Sequence, residues 1–301
     1  MAQSAPAVSI YGIDTIPKRP NVMVAFIKAQ PLGFVGLLII LMYFTFAFGA
    51  QWIAPYDPEA VDFAAMLTSP NLEHLFGTDQ YGRDVFSRLV YGARTALGVG
   101  ITSALFGCTL GAFIGAASGY FGGRIDNLIQ AVVDIMLSFP LIVLAMVIVA
   151  VLGKAKFMGI DMNLVAAISI PMVPRMARIA RSSTLSIAQM PYIDAARAAG
   201  YSHSRIVVRH ILPNIIAPYL IMTTAFIAQA ILLEASLSFL GLGVTEPTPA
   251  WGLMLSGTSA DFYKAAPWMI MFPGLAITLA VFAFNLLGDS LRDWLDPKMK
   301  G

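Results

Sequence analysis

Five long windows without Asp, Glu, Lys or Arg constrain the fold more than any other feature of the sequence. They cover residues 29–56, 95–123, 135–153, 210–233 and 265–288. A bilayer core about 30 Å thick is crossed by about 20 helical residues. Backbone amides in lipid must find hydrogen-bond partners within their own segment, so helices are the expected form. The windows therefore predict an all-α integral membrane protein.

The composition argues against a soluble globular domain. Hydrophobic residues make up 58% of the chain and charged residues only 12%, whereas soluble domains have about 25% charged residues. The single cysteine, Cys108, lies in an apolar run, and the three histidines lack a metal-ligand spacing, so neither a disulfide framework nor a metal site is expected. The net charge of +2 does not favour any partner class, and no nucleic-acid partner is expected.

The placement of basic residues decides how many spans to expect. The windows themselves predict spans near 32–54, 96–119, 131–152, 210–236 and 268–290. A further segment, 162–181, is charge-free only over 162–174 and contains Pro171 and Pro174. If it crosses the membrane, the arginines between positions 175 and 209 lie in the cytoplasm, in agreement with the positive-inside rule. We therefore predict six transmembrane helices with both termini in the cytoplasm.

The two predicted external loops carry polar and aromatic residues. The loop after the first span contains four charged residues in a short stretch: Asp79, Arg83, Asp84 and Arg88. These residues either form ion pairs that order the loop or contact a solute or a docking protein, and the sequence leaves both readings open. The second loop, 241–267, and the residue after it supply Trp251 and Trp268. Tryptophans are enriched at membrane interfaces, so we expect both at the level of the lipid headgroups.

A few polar residues fall within the predicted spans. Glu234, Gln229 and Asn285 are weak candidates for a translocation path, because polar groups at membrane depth are functional candidates by default. Each could instead hydrogen-bond between helices, and Asp134 could pair with a neighbour near the inner end of its span. The run of small residues over 111–123 indicates close helix packing rather than a phosphate-binding loop.

A polar stretch between the fourth and fifth spans interrupts the apolar pattern. Pro191 suits the first turn of a helix, and Asp194 complements the helix dipole there. Gly200 can end that helix, and Ser202 can cap a second one. Pro213 is expected to end the second helix before the fifth span. Two helices joined by a sharp turn indicate a docking device on the cytoplasmic side; an amphipathic linker that lies on lipid is the alternative.

Several motifs, in this order along the chain, resemble those of one known family. Asp194-Ala195-Ala196, Gly200 and Ile211-Leu212-Pro213 resemble the EAA loop of permease subunits of binding-protein-dependent ABC importers. Asp194 stands where that motif usually has Glu. Other stretches resemble the C-type permease of the dipeptide/oligopeptide/nickel branch: GTDQYGRDVFSRLVYGAR (77–94), EASLSFLGLGV (234–244), AAPW (265–268), FPGLAI (272–277) and AFNLLGDSLRDWLDP (283–297).

The resemblance implies a type I ABC importer permease fold with a cytoplasmic coupling helix, in the inner membrane of a prokaryote. It implies a cytoplasmic tail at 1–30, a first helix and external loop at 31–94, the permease domain at 95–292 and a second cytoplasmic tail at 293–301. The residues expected to couple this chain to an ATPase are Asp194, Ala195, Ala196, Arg197, Gly200, Ile211, Leu212 and Pro213.

The resemblance also implies partners: a second permease subunit forming a heterodimer, two ATP-binding cassette subunits and an external solute-binding protein. ATP and magnesium would bind to the ATPase subunits, and this chain would carry no cofactor and no catalytic residue. That division of labour agrees with the lack of a GxxxxGK[ST] motif. The cargo would be a dipeptide, an oligopeptide or a nickel chelate. A secondary transporter or channel, with 194–213 as its gate, is the alternative, and a membrane enzyme is less favoured because no nucleophile–base set is visible.

Overall fold

The computed structural model describes Ile27 and residues 29–153, 156–157, 160–257 and 262–295. The helices, in chain order, are α1 (Pro31–Ile53), α2 (Val85–Phe121), α3 (Gly123–Leu137), α4 (Leu141–Leu152), α5 (Met162–Ser169), α6 (Val173–Ala188), α7 (Pro191–Ala198), α8 (His203–Ile206), α9 (Ile216–Phe239), α10 (Trp251–Leu255) and α11 (Trp268–Leu295). A short antiparallel hairpin joins α4 to α5 and consists of β1 (Lys156–Phe157) and β2 (Ile160–Asp161). The described residues contain 3₁₀ turns at Phe63–Ala65, at Ile170–Met172 between α5 and α6, and at Leu212–Ile215 before α9.

Four helical stretches in the described part of the chain are long and apolar enough to cross a membrane: Pro31–Ile53, Val85–Phe121, His203–Phe239 and Trp268–Leu295. The helices α3 and α4 form a fifth crossing only as a pair bent by 93°. The predicted span at 131–152 is therefore wrong as a single helix, because Pro140 lacks a backbone donor and α4 begins after it in a new direction. Residues 162–181 are also helical, but they form no single helix that is long and apolar enough to cross a membrane. The number of six transmembrane spans therefore remains a prediction.

Close packing on the long helix α2 follows from its glycines. They recur every fourth residue on the face towards α5 and α6: Gly107, Gly111, Gly115 and Gly119. A Cβ atom at Gly115 would lie only 2.1 Å from the carbonyl oxygen of Ala177. Any larger side chain would thus force the helix backbones apart, and the prediction that small residues serve helix packing is confirmed for Gly111, Gly115 and Gly119. It is wrong for Gly122 and Gly123, which have no atom within 4 Å of an added Cβ.

The core also includes contacts between α2 and α9 and between α1 and α11. Gly100 of α2 lies against Ile231 of α9, where an added Cβ would come within 2.6 Å of the isoleucine side chain. On α1, the buried Tyr43 donates a hydrogen bond of 2.9 Å to the carbonyl oxygen of Ala276 in α11. The helix α2 therefore lies at the centre of the bundle, with α5 and α6 on one side and α1 and α9 around the rest.

Pro213 does not end the helix that precedes it. Residues 203–239 form one helical stretch, in which a π turn (Val207–Ile211) and a 3₁₀ turn (Leu212–Ile215) join α8 to α9. A proline ring clashes with the carbonyl four residues earlier in a regular α-helix. A local change of helical pitch relieves this clash without breaking the helix. The prediction that Pro213 stops the second helix is therefore wrong.

The expectation that Trp251 lies at the lipid headgroups is also wrong. Its side chain is fully buried, its Nε1 donates to the carbonyl oxygen of Leu89 at 2.9 Å, and its ring centroid lies 5.2 Å from that of Tyr43. The indole is enclosed because α10 packs against α9 and α11, and the ring reaches Tyr43 of α1 and Gly92 of α2. Trp268 is half-buried and donates to the carbonyl oxygen of Thr78 at 3.0 Å. Both tryptophans thus anchor loops to the bundle through their N–H groups.

Candidate functional site

The helix α7 turns one face to the protein and the other to solvent. Pro191 lies in its first turn, as the sequence predicts, because a missing N–H costs nothing there. The side chains of Ile193 and Ala196 are buried. On the exposed face, Arg197 lies 3.1 Å from Asp194, and both side chains remain largely open to solvent. The apolar face therefore anchors α7, and the charged face is available to another protein.

The turn after α7 is built by local caps. Gly200 takes the left-handed conformation, with φ of +76°, and Tyr201 donates its backbone N–H to the carbonyl of Ala196 at 3.1 Å. This is the hydrogen-bond pattern that usually ends a helix at glycine. Ser202 then caps α8 by accepting a hydrogen bond from the N–H of Arg205 at 3.4 Å. The turn predicted from glycine and serine placement is confirmed.

The residues predicted for ATPase coupling fall into two groups in the structure. Those on the exposed side are Asp194, Ala195, Arg197, Gly200 and Pro213. Those turned towards the protein are the buried Ala196 and Ile211 and the half-buried Leu212. We call the whole stretch from Pro191 to Pro213 the 191–213 segment. Its inward residues hold it against the bundle, and its outward residues can reach a partner.

An aromatic group that sequence reasoning missed lies beside the turn. The ring of His210 has its centroid 6.2 Å from those of Tyr192 and Tyr201. The guanidinium of Arg205 lies 4.1 Å from the centre of the Tyr201 ring, within cation–π range. Tyr192 and Tyr201 are exposed. No motif signals this group, because only the reversal at Gly200 brings Tyr192 of α7 close to His210, which lies in the π turn after α8.

Ion pairs tie the loop before α2 to the loop after α9. Arg83 Nε lies 2.7 Å from Asp79 Oδ2, and its two Nη atoms lie 2.6 and 3.3 Å from the carboxylate oxygens of Glu246. Arg88 approaches the same Glu246 at 3.5 Å and Asp79 at 3.9 Å. We call these four residues the ion cluster. Of the two readings that the sequence leaves open, the structure shows the ion pair between Asp79 and Arg83, and contact with a solute or a docking protein stays a prediction.

Arg88 is the most deeply buried member of the ion cluster, with 1% of its side chain exposed. Its Nη1 also donates to the carbonyl oxygens of Pro58 and Pro247, at 2.9 and 3.3 Å. Such partners are required, because an unpaired buried charge is strongly destabilising. Burial alone would lower the pKa of Arg83, but its hydrogen bonds and attraction to the two carboxylates outweigh burial and raise that pKa. The cluster borders a cavity of about 270 Å³.

Asp84 has a different role from its predicted neighbours. Its carboxylate caps α2 by accepting a hydrogen bond of 2.7 Å from the N–H of Ser87. The other oxygen lies 3.0 Å from Nδ1 of His74. A carboxylate at a helix N-cap satisfies a backbone donor that would otherwise lack a partner. Asp84 therefore fixes the start of α2, and only Asp79, Arg83 and Arg88 of the four predicted loop residues come together.

The predicted translocation-path residues lie in separate environments. Glu234 is fully buried in α9, and one of its carboxylate oxygens accepts a hydrogen bond of 2.8 Å from Ser238. Gln229 accepts a hydrogen bond of 3.3 Å from Arg175 of α6. Asn285 is exposed on α11. Two of the three thus have helix-packing environments, and their part in a path stays a prediction.

Two known families match parts of this chain. Residues 85–301 match the family described as binding-protein-dependent transport system inner membrane component. Residues 25–70 match the family described as N-terminal TM domain of oligopeptide transport permease C. The first match covers well over half of the chain. The chain therefore belongs to the family of inner membrane components of binding-protein-dependent transport systems.

Individual relatives show to which branch of this family the chain is similar. The chain is 43% identical over 274 residues to the dipeptide transport system permease protein DppC of Alkalihalophilus pseudofirmus, covering 91% of this chain and 88% of the relative. It is 42% identical over 275 residues to the glutathione transport system permease protein GsiD of Escherichia coli, covering 91% and 89%. A putative peptide transport system permease protein of Brucella suis is 41% identical over 291 residues, covering 96% of each chain. The chain is an ABC importer permease of the dipeptide/oligopeptide family, as its motifs predict.

A solved structure shares the fold. It is that of the MetNI methionine ABC transporter in inward-facing conformations, with a TM-score of 0.54 and 18% sequence identity. The match covers 70% of this chain and 97% of that one. The common architecture is the helical membrane fold of an ABC importer permease.

Proposed function

We propose that this chain forms one half of a heterodimeric permease that imports peptides or a related small solute, driven by two separate ATPase subunits through the 191–213 segment. The observation that carries the proposal is the two-faced build of α7, which is anchored by Ile193 and exposes Asp194 and Arg197. The relatives named for dipeptide and glutathione transport support a peptide-like cargo. A nickel chelate remains the second candidate cargo of this branch.

The proposal divides the work between the subunits. The ATPases bind and hydrolyse ATP with magnesium, and this chain carries no cofactor of its own. When the ATPases close on ATP, their movement displaces α7 and the turn at Gly200, and the helices rock between inward-facing and outward-facing states. The loops around the ion cluster face the external solute-binding protein. Arg83 and Glu246 keep these loops in one arrangement by pairing across them.

This function needs the 191–213 segment on the cytoplasmic side, and therefore six spans with both termini inside. Cysteine labelling in a Cys108→Ser background tests the arrangement. Leu72 is 97% exposed in the loop before α2, and Ser204 is exposed in α8. We expect an impermeant maleimide to label Leu72→Cys from outside the cell and Ser204→Cys only after the membrane is opened. Labelling of both positions from outside would overturn the six-span arrangement.

Reconstitution tests the transport function itself. Proteoliposomes that contain both permeases are compared with and without the ATPase pair, in the presence of a loaded solute-binding protein. We expect uptake of the peptide only with ATPases and ATP. Uptake by the permeases alone under an ion gradient would show the secondary transporter that the sequence left as an alternative, with the segment as its gate.

A further inference from the structure

The last turn of α2 contacts both helices of the 191–213 segment. The hydroxyl of Tyr120 lies 2.9 Å from Nδ1 of His203 in α8, and the two rings meet edge to face at 5.6 Å. The guanidinium carbon of Arg197 in α7 lies 5.6 Å from the centre of the same tyrosine ring. Tyr120 is only 9% exposed. One buried side chain of a central helix therefore touches both halves of the segment.

The end of α2 around Tyr120 is braced against two further helices. Ser118 Oγ donates to Asp126 of α3 at 2.5 Å, and Arg181 of α6 binds both oxygens of Asp126 at 2.6 and 2.5 Å. Gly119 lies directly against the backbone of α6, since an added Cβ would come within 2.8 Å of the carbonyl oxygen of Arg181. Because this end of α2 is packed tightly against α3 and α6, a displacement of Tyr120 would move these helices together and would not be lost in a loose turn.

The opposite end of α2 is bonded to the loop after α9. Thr95 Oγ1 donates to the carbonyl oxygen of Pro249 at 3.0 Å, and Trp251 Nε1 donates to that of Leu89 at 2.9 Å. Thr95 and Leu89 precede Tyr120 by 25 and 31 positions in this one helix, so these contacts lie roughly 40–45 Å from Tyr120 at 1.5 Å per residue. Helix α2 thus connects the 191–213 segment directly to the loop region at its other end.

We propose that Tyr120, paired with His203, is the positioning residue through which movement of the 191–213 segment reaches α2 and, along it, Pro249 in the loop after α9 and Trp251 at the start of α10. The inference rests on the proposed function of the segment as the ATPase contact. It identifies Tyr120 as the side chain of α2 that receives the movement of the 191–213 segment. Tyr120 acts through α2 and touches neither solute nor nucleotide.

The main test removes only the hydroxyl group, with Tyr120→Phe in the complete transporter with both permeases, ATPases and a loaded solute-binding protein. The matched control is Tyr219→Phe, because the Tyr219 hydroxyl also bonds a residue of α2, Thr109, at 2.9 Å. Since one hydrogen bond is worth about a fivefold change in an equilibrium, we expect solute transported per ATP hydrolysed to fall about fivefold for Tyr120→Phe only. Equal transport ratios for the two variants would overturn the proposal.

Substitutions at His203 separate a positioning role from a merely structural one. His203→Ala removes the partner of Tyr120, whereas His203→Asn places an acceptor near the position of Nδ1. We expect the alanine variant to lose transport per ATP to the same extent as Tyr120→Phe and the asparagine variant to recover most of it. The double variant Tyr120→Phe/His203→Ala is expected to be no worse than either single variant, because the two groups act as a unit. Additive losses, or no rescue by asparagine, would contradict this.

Association with the ATPases distinguishes this proposal from the function on which it rests. We expect Tyr120→Phe to co-purify with the ATPase subunits as the unsubstituted chain does, since the residue lies behind the exposed face of α7. Normal association with an unchanged transport ratio would overturn the role of Tyr120 alone. If charge reversal on the exposed face at Asp194 leaves association intact, the segment is not the ATPase contact and both proposals fail.

Discussion

The ion cluster and the 191–213 segment stand at opposite ends of α2 and are held in place in different ways. In the ion cluster, partners far apart in sequence meet around a buried charge, and Arg88 has 1% of its side chain exposed. In the 191–213 segment, neighbouring residues build the shape through a left-handed glycine and a serine cap, and the Asp194–Arg197 pair is open to solvent. One end is thus built for rigidity, and the other presents a surface.

The largest expected difference concerns the two arginines. Replacing Arg88 with Met leaves the carbonyls of Pro58 and Pro247 without this donor and removes one of the two arginines that face Asp79 and Glu246. We expect the free energy of unfolding to fall by about 3–5 kcal/mol, the usual cost of breaking a buried ion pair. Arg197→Met removes the exposed pair with Asp194 and the contact with the Tyr120 ring, and should cost about 1 kcal/mol or less. Thermal unfolding of the purified permease measures both, and equal losses would contradict the contrast between the two ends.

A smaller effect is expected at two glycines that end helices in the same way. Gly200 and Gly241 have φ of +76° and +77°, and neither has an atom within 4 Å of an added Cβ. A change of either residue to valine should therefore cost about 1–2 kcal/mol of stability from backbone strain alone. We expect only Gly200→Val to lose co-purification with the ATPases and solute-stimulated ATP hydrolysis. Equal association for both variants would show that the turn at Gly200 is not part of the contact.

The smallest effect on stability is expected at Asp194. Its pair with Arg197 is exposed, so Asp194→Lys should change the free energy of unfolding by no more than about 0.5 kcal/mol. Reversal of charge on the exposed face of α7 should nevertheless weaken co-purification with the ATPases. Glu73→Lys makes the same change of net charge in the exposed loop before α2 and serves as control. A loss of association in both variants would indicate a general charge effect and not a contact at α7.

The sequence predicts the 191–213 segment well because its structure depends on near neighbours. Pro191 at a first turn, Gly200 at a helix end and Ser202 at a cap each act within a few residues. The close packing of α2 could be predicted for the same reason, since a repeat of small residues is visible in the chain itself. Helix existence in the charge-free windows follows from the physics of lipid.

Features that depend on distant residues could not be predicted. Glu246 completes the ion cluster with Arg83 across 163 positions, and no local pattern connects the two. The burial of Trp251 depends on the packing of α10 against α9 and α11, which hydropathy does not show. The two predictions that involve prolines were both wrong. The span predicted through Pro140 is bent by 93°, whereas the helix predicted to end at Pro213 continues through a change of helical pitch. The surrounding packing decides which of these outcomes a proline has.

The central claim is that an ATPase contacts the exposed face of α7, and photo-crosslinking tests it most directly. A benzophenone amino acid in place of Ala195, which is exposed on α7, is irradiated in the assembled transporter, with the same group in place of Leu72 as control. The account predicts a cross-linked product that contains an ATPase subunit at position 195 and none that contains it at position 72. Absence of the ATPase from the product at position 195 in an intact, transporting complex would contradict the account.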